Sequence, residues 1–303
     1  MERTCSRRSR MSVRRATASR REFPYTGLVR LAVPNSTAPV VKESPTAEHA
    51  APDRLRSPAN VGSAREPQAG GWVPAVSGEG AIRAISIDDV AQRLGGRWVL
   101  RGVSLRVDPG ECIAVVGHNG SGKTTLLRVL STVLRPTRGG GTIFGHDLVR
   151  DADAVRANCA MLNHGGGLYA DLTAAENLIF AQRMMGERVD HAAIHRALER
   201  VGIGPFANNR VRTFSSGMQR RTAVARLYLR AARLLLLDEP YNSLDGDGVA
   251  LVDELLATVR ANNGAAVVVL HDLERTNTKF DRVVELAQGR IIGGKTRSTI
   301  HAA

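Results

Sequence analysis

The sequence contains little cysteine and no long apolar run, and both shortages narrow what the protein can be. Its three cysteines, Cys5, Cys112 and Cys159, lie far apart and form no Cys-x-x-Cys pair. This spacing argues against a disulfide framework or a zinc site and indicates a reducing, cytosolic compartment. The longest apolar runs, LLLL and AAVVVL, are far shorter than the roughly 18 residues that a membrane-spanning helix needs. We therefore expect a chain that does not itself cross a bilayer, although it can bind a protein that does.

Acidic residues are also in short supply. The chain has 29 Asp and Glu against 42 Lys and Arg, which gives a formal net charge of +13. So basic a protein favours anionic partners such as nucleotides, acidic lipid headgroups or nucleic acid, although charge does not choose among them. A hydrophobic content of 43% with 23% charged residues is ordinary for a globular protein with a real core.

Residues 1–80 lack a sustained apolar period and are rich in Ser, Pro, Ala and Arg. Such a composition cannot bury enough apolar surface to offset the entropy of ordering, so it predicts a disordered, basic N-terminal extension. Three interpretations stay open. The segment is an organelle transit peptide, a basic tail that touches lipid headgroups or nucleic acid, or an upstream extension of little function from a misassigned start codon. Nothing in it is apolar enough for a secretory signal peptide.

From residue 81 to residue 303 the pattern changes to short apolar runs that alternate with helical ones. CIAVVG, LLLLD and AVVVL have the texture of buried strands, whereas GKTTLLRVLSTVL and GVALVDELLATVRAN have helical spacing. Buried strands separated by helices indicate an α/β domain with a mainly parallel sheet. The stretch from about 165 to 230 is mostly helical and predicts a helical subdomain.

The segment GHNGSGKTT matches the pattern G-x-x-x-x-G-K-[ST] and lies between an apolar strand and a helix, which is the context that a P-loop requires. Its glycines let backbone N–H groups point at a phosphate chain, and the positive end of the following helix faces the same phosphates. Lys123 is placed to reach the β- and γ-phosphates, and the Thr124 hydroxyl to bind Mg²⁺. The predicted nucleotide-binding residues are Gly117, His118, Asn119, Gly120, Ser121, Gly122, Lys123, Thr124 and Thr125.

A second nucleotide motif, LLLLDEP, places two carboxylates at the end of an apolar strand. Ligands collect at that end of the strands in open α/β sheets. We expect Asp238 to lie near the metal with Thr124, and Glu239 to act as the general base that polarises an attacking water. The guanine-reading pattern of GTPases has one match, TKFD at 278–281, but it follows a polar helical stretch rather than a strand and is taken as chance. A small-molecule kinase would not need so long a segment between the two nucleotide motifs.

Three further motifs resemble those of the ATP-binding cassette (ABC) proteins. FSSGMQRR, at 214–221, resembles their signature motif, NSLD, at 242–245, their D-loop, and His271 after AVVVL their switch histidine. With the two nucleotide motifs, the resemblance covers about residues 82–293. It implies a P-loop cassette with a mainly parallel core sheet, an antiparallel β subdomain and a helical subdomain.

The resemblance also implies a mechanism. In this family each ATP lies between the P-loop of one cassette and the signature of a second, so ATP joins two cassettes and its hydrolysis releases them. Ser215, Ser216 and Gly217 would then clamp the γ-phosphate, and Asp245 would communicate across the interface. His271 would hold the water with Glu239. The implied ligands are ATP and Mg²⁺. The implied partners are a second cassette and polytopic membrane subunits at the cytoplasmic face of the inner membrane, with no nucleic acid.

Two positions depart from the family pattern. Leu94 stands where an aromatic residue usually stacks on adenine, and either Leu94 makes a plain apolar contact or Trp98 takes over the stacking. His164, in NHGGGLYADLT, stands where the family has the glutamine that links the core to the helical subdomain. A shift of one residue would put Gly165 there instead. If His164 takes the place of this glutamine, the link between the core and the helical subdomain contains a side chain whose charge changes near neutral pH. The three glycines that follow it would form a soft hinge.

Within the family, VLRGVSLRVDPGE, FGHDLVRDADAVR and LLLLDEPYNSLD resemble export-type subunits, most of all those that export haem for c-type cytochrome biogenesis. No residue of this sequence is identified as one that recognises haem. Drug and polysaccharide exporters have similar cassettes, so drug export and polysaccharide export stay as alternatives. A soluble, non-transport cassette ATPase is the other alternative. Such proteins usually carry two cassettes or a long coiled-coil insertion, and this sequence has neither.

Overall fold

The structure, a computed structural model, describes residues 82–271 and 278–296. The predicted disordered extension at 1–80 lies outside these residues, as does the C-terminal end of the chain.

One sheet is small and antiparallel throughout. It contains β1 (Ile85–Leu94), β2 (Arg97–Val107), β4 (Arg138–Ile143) and β5 (His146–Asp147) in the spatial order β2-β1-β4-β5. The first two strands form a hairpin whose turn is Gly95-Gly96, and both glycines adopt a positive φ, which glycine tolerates without steric penalty.

The second sheet is larger and mainly parallel. It contains β3 (Cys112–Val116), β6 (Cys159–Leu162), β7 (Leu234–Asp238), β8 (Ala265–Val269), β9 (Arg282–Ala287) and β10 (Arg290–Thr296). Their spatial order is β10-β9-β3-β8-β7-β6, and only β10 pairs in the antiparallel direction. Every residue of β7 and β8 is buried, as expected for central parallel strands covered on both faces.

Six helices connect the strands in the described ranges. They are α1 (Lys123–Leu130), α2 (Ala152–Asn158), α3 (Ala174–Met184), α4 (His191–Arg200), α5 (Ser216–Tyr228) and α6 (Gly246–Ala261). Within 82–271, α3, α4 and α5 follow one another with no strand between them. Capping fixes several of their starts: Thr173 and Glu176 form a reciprocal capping box at α3, and Asp190 caps α4. Two short 3₁₀ turns, Gly204–Phe206 and Val211–Thr213, lie between α4 and α5.

The core sheet separates two apolar clusters. Because side chains alternate between the faces of a strand, Leu235 and Leu237 of β7 join the cluster that contains α3, α4, α5 and α6. Leu234 and Leu236 point the other way, into the cluster shared by α1 and the antiparallel sheet. Helices therefore cover one face of the core sheet, and α1 with the smaller sheet covers the other. This architecture is the predicted α/β fold class, with a mainly parallel sheet, an antiparallel sheet and a group of helices.

Several elements were not predicted. The short strand β6, from the sequence CAML, contains no β-branched residue and is defined as a strand by its pairing with β7. The glycine-rich strand β4 and the edge strand β10 were missed as well. Helices α3, α4 and α5 fall within the stretch at 165–230, whose status as a separate subdomain stays a prediction. No helix in the two described ranges is long and apolar enough to span a membrane.

Candidate functional site

The loop between β3 and α1 is a backbone cradle whose glycines have no room for a side chain. At Gly117, with φ of 150°, a Cβ would lie 2.1 Å from the carbonyl oxygen of Leu286. At Gly122, with φ of 108°, it would lie 2.9 Å from the Leu100 side chain. The strands β9 and β2 thus pack closely against the loop at these two glycines. The loop tip, His118, Asn119 and Gly120, stays exposed, so its N–H groups are open to an anion.

Lys123, the first residue of α1, is buried to 6% exposure. Its Nζ donates to the carbonyl oxygens of Gly117, at 2.6 Å, and His118, at 3.0 Å. Burial lowers the pKa of Lys123, and this effect is partly offset by the nearby carboxylates of Glu239 and Asp238. The ammonium group therefore lies inside the loop, close to both predicted acids, where it can turn to a phosphate.

The predicted metal ligands are in contact. The Thr124 hydroxyl donates to Asp238 Oδ2 at 2.7 Å, which joins α1 to the end of β7. Asp238 is 2% exposed, and an uncompensated buried carboxylate is costly. A hydroxyl and a carboxylate oxygen at this spacing are hard oxygen donors of the type that Mg²⁺ prefers. The remaining predicted P-loop residues, Ser121 and Thr125, are both buried.

Glu239 lies between two histidines. Its Oε1 is 2.7 Å from His271 Nε2, and its Oε2 is 3.0 Å from His164 Nδ1 and accepts from the Asn242 side-chain amide at 2.6 Å. Strand order explains this convergence, because β6, β7 and β8 are neighbours and each of the three residues lies within two residues of a strand end. Glu239 itself adopts φ of 50°, in the left-handed region, which is strained for a residue other than glycine.

The segment that follows His164 is anchored as well as rich in glycine. Gly166 and Gly167 adopt φ of 69° and 63°, which glycine tolerates at no steric cost. Their carbonyl oxygens accept from Arg226 of α5, both at 2.9 Å. The predicted soft hinge is therefore tied to α5 on its carbonyl side. Within this segment it is His164, rather than Gly165, whose side chain contacts the Glu239 carboxylate.

The signature residues form a separate group. Ser215 caps α5 and accepts from the Met218 N–H at 3.2 Å. A Cβ at Gly217 would lie 3.0 Å from the carbonyl oxygen of Ser243. Asp245 caps α6, and its Oδ1 also accepts from Arg221 of α5. No hydrogen bond or ion pair among the described residues joins Ser215, Ser216 or Gly217 to the P-loop. Their predicted role with a nucleotide on a second cassette stays a prediction.

The two candidates for adenine contact lie on the β1–β2 hairpin. Leu94 is 36% exposed and Trp98 is 45% exposed, so neither is a core residue. Trp98 precedes Val99, whose carbonyl oxygen would be 3.1 Å from a Cβ at Gly122. The hairpin therefore lies against the P-loop, and both side chains remain candidates.

Sequence reasoning missed two polar residues at this site. Asn242 belongs to NSLD, and its amide donates to Glu239. Arg220, buried in α5, donates to the backbone carbonyl of Glu239 and to that of His164. The only visible signal for Arg220 was its place as the first of two adjacent arginines after the signature, and such a pair normally suggests a solvated surface.

The site fits a nucleoside triphosphate with its metal. The cradle is closed to side chains at Gly117 and Gly122, the buried Ser121 hydroxyl has no protein partner among the described residues, and Thr124 and Asp238 offer adjacent oxygens. Glu239, which contacts the two histidines, directly follows the predicted metal ligand Asp238.

Comparison with known proteins agrees with this geometry. The sequence profile described as "ABC transporter" matches residues 100–242. The cytochrome c biogenesis ATP-binding export protein CcmA 2 of Cupriavidus metallidurans is 41% identical over 190 residues, 60% of this chain and 87% of that protein. CcmA of Methylococcus capsulatus is 39% identical over 177 residues, 58% of this chain and 86% of that protein. The daunorubicin resistance ATP-binding protein DrrA3 of Streptomyces coeruleorubidus is 35% identical over 224 residues, 73% of this chain and 71% of that protein.

Solved structures match the same region. An ATP-binding subunit of an ABC transporter superposes with a TM-score of 0.64 at 25% identity and covers 72% of this chain and 92% of its own. A dimeric ATP-binding cassette in a post-hydrolysis state with ADP and Pi superposes with a TM-score of 0.64 at 23% identity, over 70% of this chain and 98% of its own. At that identity the second match supports the fold alone.

Proposed function

The chain belongs to the ABC transporter family of ATP-binding proteins, and on that premise we propose that it is the ATP-hydrolysing subunit of an ABC exporter. Family members bind and hydrolyse ATP, and their cassettes form dimers. The observation that carries the catalytic proposal is the cluster in which Glu239, held between His164 and His271, follows Asp238 at the end of β7.

In the proposed reaction, residues of this chain first bind the phosphates and then activate the attacking water. The P-loop N–H groups and Lys123 bind the β- and γ-phosphates, and the cradle keeps them in one orientation. Glu239 accepts the proton of the water as its oxygen bonds to the γ-phosphorus and the bond to the bridging oxygen breaks, so that ADP and phosphate leave. His271 and His164 hold the Glu239 carboxylate in position for this step. Mg²⁺, held by Thr124 and Asp238, would neutralise the developing charge on the phosphate oxygens.

Dimerisation completes the proposal. Ser215, Ser216 and Gly217 lie at the start of α5 and form no hydrogen bond with their own P-loop among the described residues, so we assign them to the ATP bound by a second cassette. Asp245, next to them and paired with Arg221, would carry the state of one site to the other. The helical subdomain at about 165–230 would dock on polytopic membrane subunits and place the chain at the cytoplasmic face of the inner membrane.

We further propose haem export for c-type cytochrome biogenesis as the transport process. Support comes from the relatives named as cytochrome c biogenesis export proteins, at about 40% identity. A drug exporter is the second candidate, because the drug-resistance relative matches a larger share of this chain, 73%.

Deletion of the gene in its host separates the two candidates. Under the haem-export proposal, c-type cytochromes detected by haem staining are lost, and the plasmid-borne wild-type gene restores them, whereas an Asp238→Asn copy does not. Intact cytochromes together with increased sensitivity to a planar polycyclic drug would instead establish drug export and refute the first proposal.

The loop histidine has a measurable role in this scheme. We expect His164→Ala to lower kcat for ATP hydrolysis by about tenfold, the equivalent of one hydrogen bond to a charged group, with the Kd for ATP unchanged because the P-loop is intact. His164→Gln, which restores the family's usual amide, should stay near wild type. The surface variant His195→Ala is the control, since its partner is the exposed Glu199. A wild-type rate for His164→Ala would make the loop histidine a bystander.

A further inference from the structure

Arg220 lies one turn inside α5 and uses all of its hydrogen-bonding capacity on backbone. The residue is 6% exposed. Nε donates to the carbonyl oxygen of Pro240 at 3.1 Å, and the two terminal nitrogens donate to the carbonyl oxygens of Asp238, Glu239, Asn163 and His164. A guanidinium has five N–H donors, so these five bonds saturate it.

This arrangement is unusual for a buried cation. Buried charges normally pair with an opposite charge, yet each of the five hydrogen bonds of Arg220 ends on a carbonyl oxygen. Burial lowers the pKa of Arg220, and the nearby Asp238 and Glu239 offset that only in part. A lysine would offer three donors from a single point and could not span the same acceptors. The site therefore requires the planar fork of arginine rather than a positive charge alone.

The acceptors fall into two groups from neighbouring strands. Asp238, Glu239 and Pro240 are at the end of β7, and Asn163 and His164 follow β6, its parallel neighbour. The peptide groups on both sides of the Glu239 Cα are held, which stabilises its left-handed φ of 50°. The direction of a side chain follows from its backbone dihedrals, so these bonds fix where the Glu239 carboxylate points.

We propose that Arg220 is a positioning residue that ties the signature helix α5 to the hydrolytic pair formed by Glu239 and His164. This inference rests on the proposed ATPase function. Because α5 begins at the signature, a displacement of the helix when Ser215 and Gly217 engage a nucleotide moves Arg220 and, through it, the backbone of both residues. Closure of the dimer interface would thus set the geometry of Glu239 within the same chain.

Backbone amide hydrogen exchange on the nucleotide-free full-length chain tests the tether without reference to ATPase activity. Arg220→Lys should accelerate exchange in two segments, 163–167 and 238–242, with the P-loop at 117–123 unchanged. The matched control is Arg226→Lys. Arg226 lies on the same helix, and within 82–271 and 278–296 its side chain donates only to Gly166 and Gly167, so exchange should rise in the first segment alone. Unchanged exchange at 238–242 in Arg220→Lys would overturn the proposal. If Arg220→Lys does not fold, Arg220→Gln, which removes the buried charge, takes its place.

A double-mutant cycle tests the catalytic consequence. Arg220→Lys should lower kcat by about 10- to 100-fold, the range expected from a misplaced catalytic group, with the Kd for ATP unchanged. In the Glu239→Gln background the same change should have no further effect on the single-turnover rate, because Arg220 acts through Glu239. Full additivity would show a merely structural role and refute the positioning role. A wild-type chain without ATPase activity would refute the proposed function, and the exchange result would still decide the tether.

Discussion

Glu239→Gln is expected to lower kcat for ATP hydrolysis by about 10²- to 10⁴-fold, the usual contribution of a general base, and to trap a dimer with ATP bound. The amide has nearly the shape of the carboxylate, but it cannot accept the proton of the attacking water. Thr124 and Asp238 keep their 2.7 Å contact, and the P-loop is untouched, so ATP binding is retained. Removal of one negative charge beside the γ-phosphate further favours the bound state.

Size-exclusion chromatography with ATP and Mg²⁺ measures the trapped dimer, and phosphate release measures the rate. Glu254→Gln is the matched control, because Glu254 is a half-exposed carboxylate on α6 paired with Arg200, and it should behave as wild type. A Glu239→Gln chain that stays monomeric with ATP would contradict the sandwich mechanism. A chain that still turns over ATP at the wild-type rate would remove Glu239 from the reaction.

Lys123→Met is expected to weaken ATP binding by about 10- to 100-fold or more, the loss of a charge-assisted hydrogen bond to phosphate. The nucleotide-free chain should fold as well as wild type. Burial lowers the pKa of Lys123 because it destabilises the charged form in the folded chain. A methionine of similar length removes this unfavourable contribution to the free energy of folding. The Gly117 and His118 carbonyls lose a donor, but His118 is exposed and water can satisfy it.

Thermal unfolding with and without ATP and Mg²⁺ separates these two effects. Wild type should gain about 2.7 kcal/mol when ATP is at 100 times its Kd, whereas Lys123→Met, with a Kd about 10- to 100-fold higher, should gain about 0.4 to 1.4 kcal/mol at the same concentration. Lys279→Met, at an exposed lysine, should keep the full gain. An undiminished ATP-dependent shift in Lys123→Met would show that the P-loop lysine does not contact the nucleotide.

The local parts of the site could be predicted from sequence because each depends on a contiguous stretch of backbone. A P-loop needs its glycines and its lysine at fixed spacing between a strand and a helix, and the structure has β3, the cradle and α1 at that place. The end of a buried apolar strand likewise located Asp238 and Glu239. The fold class was predictable for a related reason, since parallel strands covered on both faces are continuous apolar runs.

Contacts between residues far apart in the chain could not be predicted from local sequence. The sequence singled out Glu239 from its place at a strand end, and His164 and His271 from a family resemblance. Their meeting depends on β7 lying between β6 and β8. The strand β6 itself was missed because four residues without β-branching have no strand signal of their own. Its pairing with β7 is what puts His164 beside the carboxylate.

Arg220 shows the difference between what local sequence predicts and what only tertiary contacts decide. The sequence alone determined an α/β domain with a phosphate-binding loop, and it predicted one carboxylate for the metal and one as general base, because local spacing and apolar runs encode them. Only the tertiary structure decided that a guanidinium on α5 saturates five carbonyls from two other segments. Backbone carbonyls are the same in every residue, so a side chain that binds only to them leaves no pattern in the sequence of its acceptors.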